Sequence, residues 1–378
     1  MPKICGLMLF ALLNSLFVFT SASGAPMPPD SLEQPDDAVD LTWSATFQPR
    51  VGFGIDEADS GDRTERFGFG VRRARLRLNA DFNDQFGTFF DVDLSGGNLS
   101  VASLFGYYKP SGEWRLRAGY VPGAQPAAYA PTSHTELDLM ERAAIAELWG
   151  GNTIGSNGRD FGVDATWTEG DLSASLFLHG GDGNFSRLRG NFRQTVSSQS
   201  ATRGVDRTAA AISSTLLWRN ALTEGLELGG FASYNGSGNP NTAVQDIGRS
   251  YVSWEGHAYY GAKPGSQAVR FKLDVIGVQY EEVTGTTGQV IAAQNTLGVS
   301  LLGAVRIIAG MELAARLENY QPDDGGGDVT FFGAGLIYSI SARRGRAFSR
   351  QRLSLVYTNA LPDGSRADLI ELQGQWVF

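Results

Sequence analysis

Cysteine is almost absent from this chain. Cys5 is the only one in 378 residues. It lies in an apolar N-terminal segment, so the rest of the chain carries neither disulfides nor thiol chemistry. Lysine is scarce too: Lys3, Lys109, Lys263 and Lys272 stand against 27 arginines. That imbalance fits either the codon usage of a GC-rich gene or a use for always-charged guanidinium forks that suit anions. His134, His179 and His257 are the only histidines, and none shows metal-ligand spacing. His179 shares a strand face with Ser175 and Ser173. Residues four apart on a strand are roughly 13 Å apart, too far for a hydrolase dyad. No cofactor motif is present: "DDGGGD" (323–328) lacks the Lys and Ser/Thr of a phosphate loop and reads as a turn. Beyond the N-terminal segment no apolar run reaches the length of a membrane-crossing helix.

Residues 1–25 carry Lys3, an apolar run to about Phe19 and then small residues. This pattern reads as a secretory signal peptide cleaved after Ser23 or Ala25, and the run is too short for an anchor of about 20 residues. Removal of Lys3 takes the net charge from −9 to −10, which argues against a nucleic-acid partner. Residues 26–40, rich in Pro and acids, read as a flexible lead-in.

What the chain does have is glycine, aromatics and alternation. Its 48 glycines are close to twice the usual share of about 7%. Charged residues make up 19%, below the usual share of about 25%. Both values suit many short strands and turns. Leu41, Trp43, Ala45 and Phe47 alternate with Thr42, Ser44, Thr46 and Gln48. Arg73, Arg75 and Arg77 alternate with Ala74, Leu76 and Leu78; Arg115 and Arg117 alternate with Trp114, Leu116 and Ala118. The last strand ends "IELQGQWVF", with Ile370, Leu372, Gly374, Trp376 and Phe378 on one face. Period two sends such sets to opposite faces of a sheet.

A small interior cannot hold this many arginines unless it is wide and wet. A wide barrel with a polar lumen and an apolar outside is the design of a transmembrane β-barrel. The pattern predicts an all-β antiparallel barrel over 41–378 with about sixteen strands, the first near 41–55 and the last near 368–378. "PSGE" (110–113), "TEGD" (168–171) and "KPGS" (263–266) are tight turns, while 121–157, 182–203, 237–248, 282–293 and 321–327 are longer loops. An even count puts both termini on the short-turn rim, where the last strand closes the ring on the first. Trp43, Trp114, Trp167, Trp218, Trp376, Tyr107 and Tyr120 fall near strand ends, as interfacial girdles would. In the loop 121–157, Leu137, Met140, Ala144 and Leu148 recur at helical spacing. They predict a helix at about 135–149 on a loop folded into the lumen.

"GFGVRRARLRLNADFNDQFGTFFDVDLS", then "YYKPSGEWRLRAGYVPG", "LMERAAI", "NGRDFGVDA" and later "GMELAARLENY" follow one another in an order that resembles the phosphate-selective porin O and P family. The resemblance implies a sixteen-stranded outer-membrane porin, a homotrimer, with a constriction that favours small anions such as phosphate. It also makes the terminal Phe378 similar to the signal read by the barrel-assembly machinery. In this chain the loop 121–157 has no lysine, only Arg142 as a cation, and carries Glu136, Asp138, Glu141 and Glu147.

The expected function is passive diffusion of small hydrophilic solutes across the outer membrane of a Gram-negative-type cell, with no chemical step and no cofactor or metal. Arg73, Arg75, Arg77, Arg115, Arg117 and Arg142 are the expected basic pore lining, with Asp91, Asp93 and Glu141 as counter-charges. Outer-membrane lipid is the expected surround. A barrel enzyme acting on lipid and a secreted soluble adhesin are the alternatives the sequence leaves open.

Overall fold

The computed structural model describes residues 39–57, 60–129, 131–153, 158–181, 211–236, 250–284, 290–322, 327–361 and 366–378. The expected signal peptide and all but the last two residues of the lead-in lie outside them, as do the first residues of the strand expected at 204–218.

The strands are β1 (Asp40–Glu57), β2 (Arg63–Asp81), β3 (Phe86–Asp93), β4 (Ser100–Tyr108), β5 (Trp114–Val121), β6 (Asp160–Glu169), β7 (Leu172–His179), β8 (Ala211–Trp218) and β9 (Leu226–Asn235). They continue as β10 (Tyr251–Tyr260), β11 (Val269–Tyr280), β14 (Gln294–Ile308), β15 (Met311–Gln321), β16 (Val329–Ser339), β17 (Gln351–Leu361) and β18 (Arg366–Val377). A two-residue pairing, β12 (Val283–Thr284) with β13 (Val290–Ile291), stands outside the main sheet. The other sixteen strands form a closed antiparallel barrel in which each pairs with its sequence neighbour and β1 pairs with β18. The ring closes on the last residue: the Phe378 amide donates to the Ala45 carbonyl at 2.9 Å. Closure leaves no free sheet edge in the ring, so the backbone is satisfied without disulfides.

The pleat sorts the side chains as the alternation requires. One register row runs Val269, Val305, Leu313, Leu336, Leu355, Leu372, Val51 and Phe69 across eight strands. Its members point outward; Leu355 is 49% exposed and Phe69 is 80% exposed. The residues between them point inward and include many polar groups: Ser300, Glu312, Ser354, Glu371 and Gln373 are all buried, beside apolar Ala304, Ala314, Ile337 and Val356. An apolar outside and a polar inside invert a soluble protein and match a barrel in hydrocarbon.

Strand β2 breaks the alternation once. Its register with β1 passes from Gln48↔Arg73 to Pro49↔Val71, which leaves Arg72 as an extra residue. Pro49 has no N–H to donate, so the ladder is interrupted where a bulge is tolerated. Before the bulge, Phe67, Phe69 and Val71 are the exposed set; after it, Leu76 and Leu78 are. The bulge thus turns two adjacent arginines, Arg72 and Arg73, toward the inside.

Two expectations need correction here. Tyr120 is not a girdle residue: it is fully buried, with its ring 5.2 Å from that of Phe161. The adjacent Gly119 has φ 136°, a conformation closed to side-chain-bearing residues, and it interrupts the alternation. Tyr107 turns its hydroxyl to Asn79 and Asp81, while its neighbour Tyr108 stacks on the exposed Phe86 at 4.5 Å. Trp43, Trp114 and Trp218 are exposed as girdle residues would be.

The loop between β5 and β6, loop 3, folds into the barrel. Its helix α1 spans Ala144–Asn152 rather than 135–149. The reason lies in the carbonyls before it. Gln48 donates to His134 O, Gln375 to Thr135 O, Arg352 to Leu137 O, and Arg316 to Glu141 O and Arg142 O. Wall side chains that bind these oxygens compete with helical N–H groups and hold the segment against the barrel wall. Leu139 and Met140 instead pack against Leu302, Ala304, Ala314, Ile337 and Val356. Helix α1 sets Ile145, Ala146 and Trp149 against Phe231, Tyr251, Ile276 and Tyr280. Ile145 lies so close to Gly298 that a Cβ there would be 2.8 Å from Ile145 Cβ.

Candidate functional site

Loop 3 docks on the β9–β11 and β14–β17 side of the barrel. Opposite, between the loop and the β2–β4 wall, a cavity of about 270 Å³ remains. Arg72, Arg73 and Arg75 line it from β2, Arg142 and Tyr129 from loop 3, and Arg159 from the entry to β6. Five guanidiniums face two carboxylates, Asp93 and Glu147, with the small residues Ser100 and Ala102 leaving room between them.

Each arginine is held in place. Arg73 donates to Gln48 Oε1 at 3.2 Å and lies 3.7 Å from Glu141. Arg75 pairs with Asp93 at 3.0 Å and with Asp91 at 3.6 Å. Arg142 donates to the carbonyls of Tyr129 at 2.9 Å and Thr132 at 3.3 Å, and lies 3.5 Å from Glu147. Arg159 donates to Ser103 Oγ at 3.4 Å. Arg142 owes most of its fixing to neutral carbonyls, so its charge is only partly offset locally.

Of the expected residues, Arg73, Arg75, Arg142 and Asp93 meet at this cavity. Arg77 lies farther along β2, where it pairs with Asp91 at 3.2 Å and donates to His134 Nδ1 at 3.2 Å. Glu141 sits behind the lining, between Arg72, Arg50 at 3.0 Å and Arg73. Arg117 is taken up by Asp164 at 2.7 Å and by the carbonyl of Pro122, and Arg115 is exposed near the short-turn end of β5. Neither Arg115 nor Arg117 lines the cavity. Arg72 and Arg159 do, and strict alternation missed both. Arg72 depends on the bulge, for which Pro49 was the available signal. Arg159 lies just before a strand, where parity assigns no face.

The loop groups are tuned by these neighbours. Burial pushes the Glu141 carboxyl up, but the hydrogen bond and charge of Arg72, with Arg73 and Arg50, outweigh it and hold the group below its ordinary range. Asp138 behaves alike: burial is overcome by Lys272 and Arg270, and Lys272 Nζ lies 2.7 Å away. His134 is driven well below the usual histidine value by burial first and then by Arg75, Arg77 and Arg73. It is therefore neutral at pH 7, with Nδ1 accepting from Arg77.

A second polar constellation lies on β6–β8. His179 Nδ1 is 2.8 Å from Asp160 Oδ2, and His179 Nε2 is 2.9 Å from Ser213 Oγ. This has the order of a serine-hydrolase relay, formed with Ser213 rather than with Ser175 or Ser173. All three residues are buried. The space bordering His179 and Ser213 is about 10 Å³, about the minimum for one water and far too small for an acyl substrate.

Comparison with known proteins agrees with this picture. The model of the family described as "Phosphate-selective porin O and P" matches residues 44–215, so the resemblance seen in the motifs holds over that stretch. No curated protein sequence matches the chain. Among solved structures, the outer membrane channel DcaP of Acinetobacter baumannii is similar at 12% identity and TM-score 0.60, over 90% of this chain and 97% of that one. OmpT of Vibrio cholerae in its trimer form is similar at 13% identity and TM-score 0.57, over 90% of this chain and all of that one. OmpF of Salmonella typhi, in complex with daunomycin, is similar at 14% identity and TM-score 0.54, over 90% and 98%. The chain has the fold of the outer-membrane channels and porins to which it is similar.

Proposed function

We propose that this barrel is a passive channel for small hydrophilic solutes, and that the cavity between loop 3 and β2–β4 is its selective constriction, with a preference for small anions. One observation carries the preference: five guanidiniums against two carboxylates around a space of about 270 Å³. In a hydrated passage the sign of the lining charge sets which ion enters. Inorganic phosphate is the named candidate, on the family's description and on the match of planar guanidinium forks to phosphate oxygens. Arg73, Arg75 and Arg142 act at the constriction, with Arg72 and Arg159. Arg77 and Arg117 are partly neutralised rungs beyond it, Arg115 stands at the mouth, and Asp91, Asp93 and Glu141 are counter-charges.

In this reading no bond is made or broken; the cramped Ser213 site favours bracing of β6–β8 over hydrolysis. Export by residues 1–25, a lead-in over 26–40, delivery to the barrel-assembly machinery through Phe378, and assembly as a homotrimer belong to the same proposal. The trimer form of OmpT supports the last of these. The test is the zero-current potential across a planar bilayer in asymmetric KCl. Selectivity for chloride is expected, with phosphate reducing the chloride current. Selectivity for potassium would remove the anion reading and leave the channel.

A further inference from the structure

The turn between β16 and β17, residues 340–350, is longer than other connections on the short-turn rim. Residues 329–361 contain neither Asp nor Glu, whereas the turns at 82–85, 109–113, 170–171 and 219–225 carry Asp84, Glu113, Asp171 and Glu224. A 3-10 helix, Ala342–Arg344, is capped by Gly345 at φ 70°. The turn is rigidly tied. Ser339 Oγ donates to Phe348 O at 2.6 Å and Ser341 Oγ to Ala347 O at 2.7 Å. Phe348 packs against the core cluster that holds Leu139 and Met140. With Phe348 drawn inward, Arg343, Arg344 and Arg346 are left exposed.

Their position is specific. Ile308, Met311, Tyr338 and Leu353 form one register row across β14–β17. It is the last outward row before the rim, and Ile308 and Leu353 are exposed. Arg343 extends across Gly310 and donates to Tyr338 OH at 3.4 Å. An aromatic hydroxyl and a guanidinium directly below an apolar band mark the depth of lipid phosphates. Short turns lie on the periplasmic side.

We propose that Arg343, Arg344 and Arg346 form a binding site for the phosphate of an anionic glycerophospholipid in the periplasmic leaflet. The site is independent of the channel's ion preference. It holds lipid on one arc of the barrel, β14–β17, rather than around the whole rim.

The test uses the full barrel folded into vesicles of equal phosphatidylglycerol and phosphatidylcholine, extracted in detergent, with retained lipid read by native mass spectrometry. Wild type is expected to retain phosphatidylglycerol preferentially. Each arginine removed should cost roughly fivefold, the effect of about 1 kcal/mol per basic residue at an anionic surface. R343Q/R344Q/R346Q should retain both lipids alike, and Arg366→Gln, at the start of β18 on the opposite rim, should retain lipid as wild type does. Should the triple variant not fold, by heat-shifted migration in gels, R346Q alone is read. Equal retention by wild type, or a preference that survives the substitutions, overturns the proposal. So does loss of the preference in excess inorganic phosphate, which would make free phosphate the ligand.

Discussion

Arg72 donates to both oxygens of Glu141, from Nη2 to Oε2 at 2.7 Å and from Nε to Oε1. The donor is the extra residue of a bulge in the wall, and the acceptor is on the loop that fills the lumen. This fork joins the two sides of the cavity, and it exists because β2 departs from strict alternation at the bulge.

Removing that fork should loosen loop 3 without changing the barrel. E141Q is expected to fold normally, to show noisier single-channel current and to become more selective for anions, because a carboxylate between Arg50, Arg72 and Arg73 is gone. Paired recordings of current noise and zero-current potential check both effects. A shift toward cations would contradict the placement of Glu141.

The same group fixes the acid limit of the loop. A carboxyl held below its ordinary 4.5 in the folded protein contributes stability that is complete above about pH 4.5 and is lost as pH falls through the lower folded value. Channel noise should therefore be flat from neutral pH down to about 4.5 and rise below it, and E141Q should not show the rise. His134 acts in a neighbouring window. Its folded value lies well below 6.5, so its contribution is full above about pH 6.5 and declines as pH falls toward the folded value. H134N should flatten thermal stability between pH 6.5 and 5.

Reversing Arg142 should change selectivity most. A unit charge about 4 Å from a passing ion in water is worth about 1 kcal/mol, or about fivefold. R142E replaces attraction by repulsion, so the chloride-to-potassium permeability ratio should fall by more than about fivefold. R115E, outside the cavity, should leave the ratio nearly unchanged.

Trp149 anchors α1, its ring 5.4 Å from Tyr129 and 5.5 Å from Phe231. Trp149→Ala should cost about 3–5 kcal/mol of local docking, and single-channel conductance should rise as the loop leaves its seat. On the outer face, Leu355→Arg puts a charge into the apolar row and should destabilise the barrel in vesicles by about 2–4 kcal/mol.

The barrel was legible because alternation is a direct print of the pleat: the strands from Leu41 and Ile370 sort as their spacing requires. Tyr120 and Arg72 were not legible, because Gly119 and the bulge at Pro49 shift parity locally. The helix of loop 3 was placed too early because helical spacing at Leu137 and Met140 does not reveal that nearby carbonyls are held by Gln375, Arg352 and Arg316. Arg73, Arg75 and Arg142 could be named as a set, but their meeting with Arg159 depends on how the loop crosses the lumen. The relay of Asp160, His179 and Ser213 spans three strands and leaves no local signal.

The sole cysteine, Cys5, belongs to the segment expected to be cleaved, so an introduced thiol reports one position without background. In Arg75→Cys, a membrane-impermeant charged thiol reagent is predicted to react during recording and cut the current. In Leu355→Cys the reagent is predicted to find no thiol it can reach. Rapid labelling at 355 with no effect at 75 would put the apolar row in water and the arginines outside the passage, and would contradict the account.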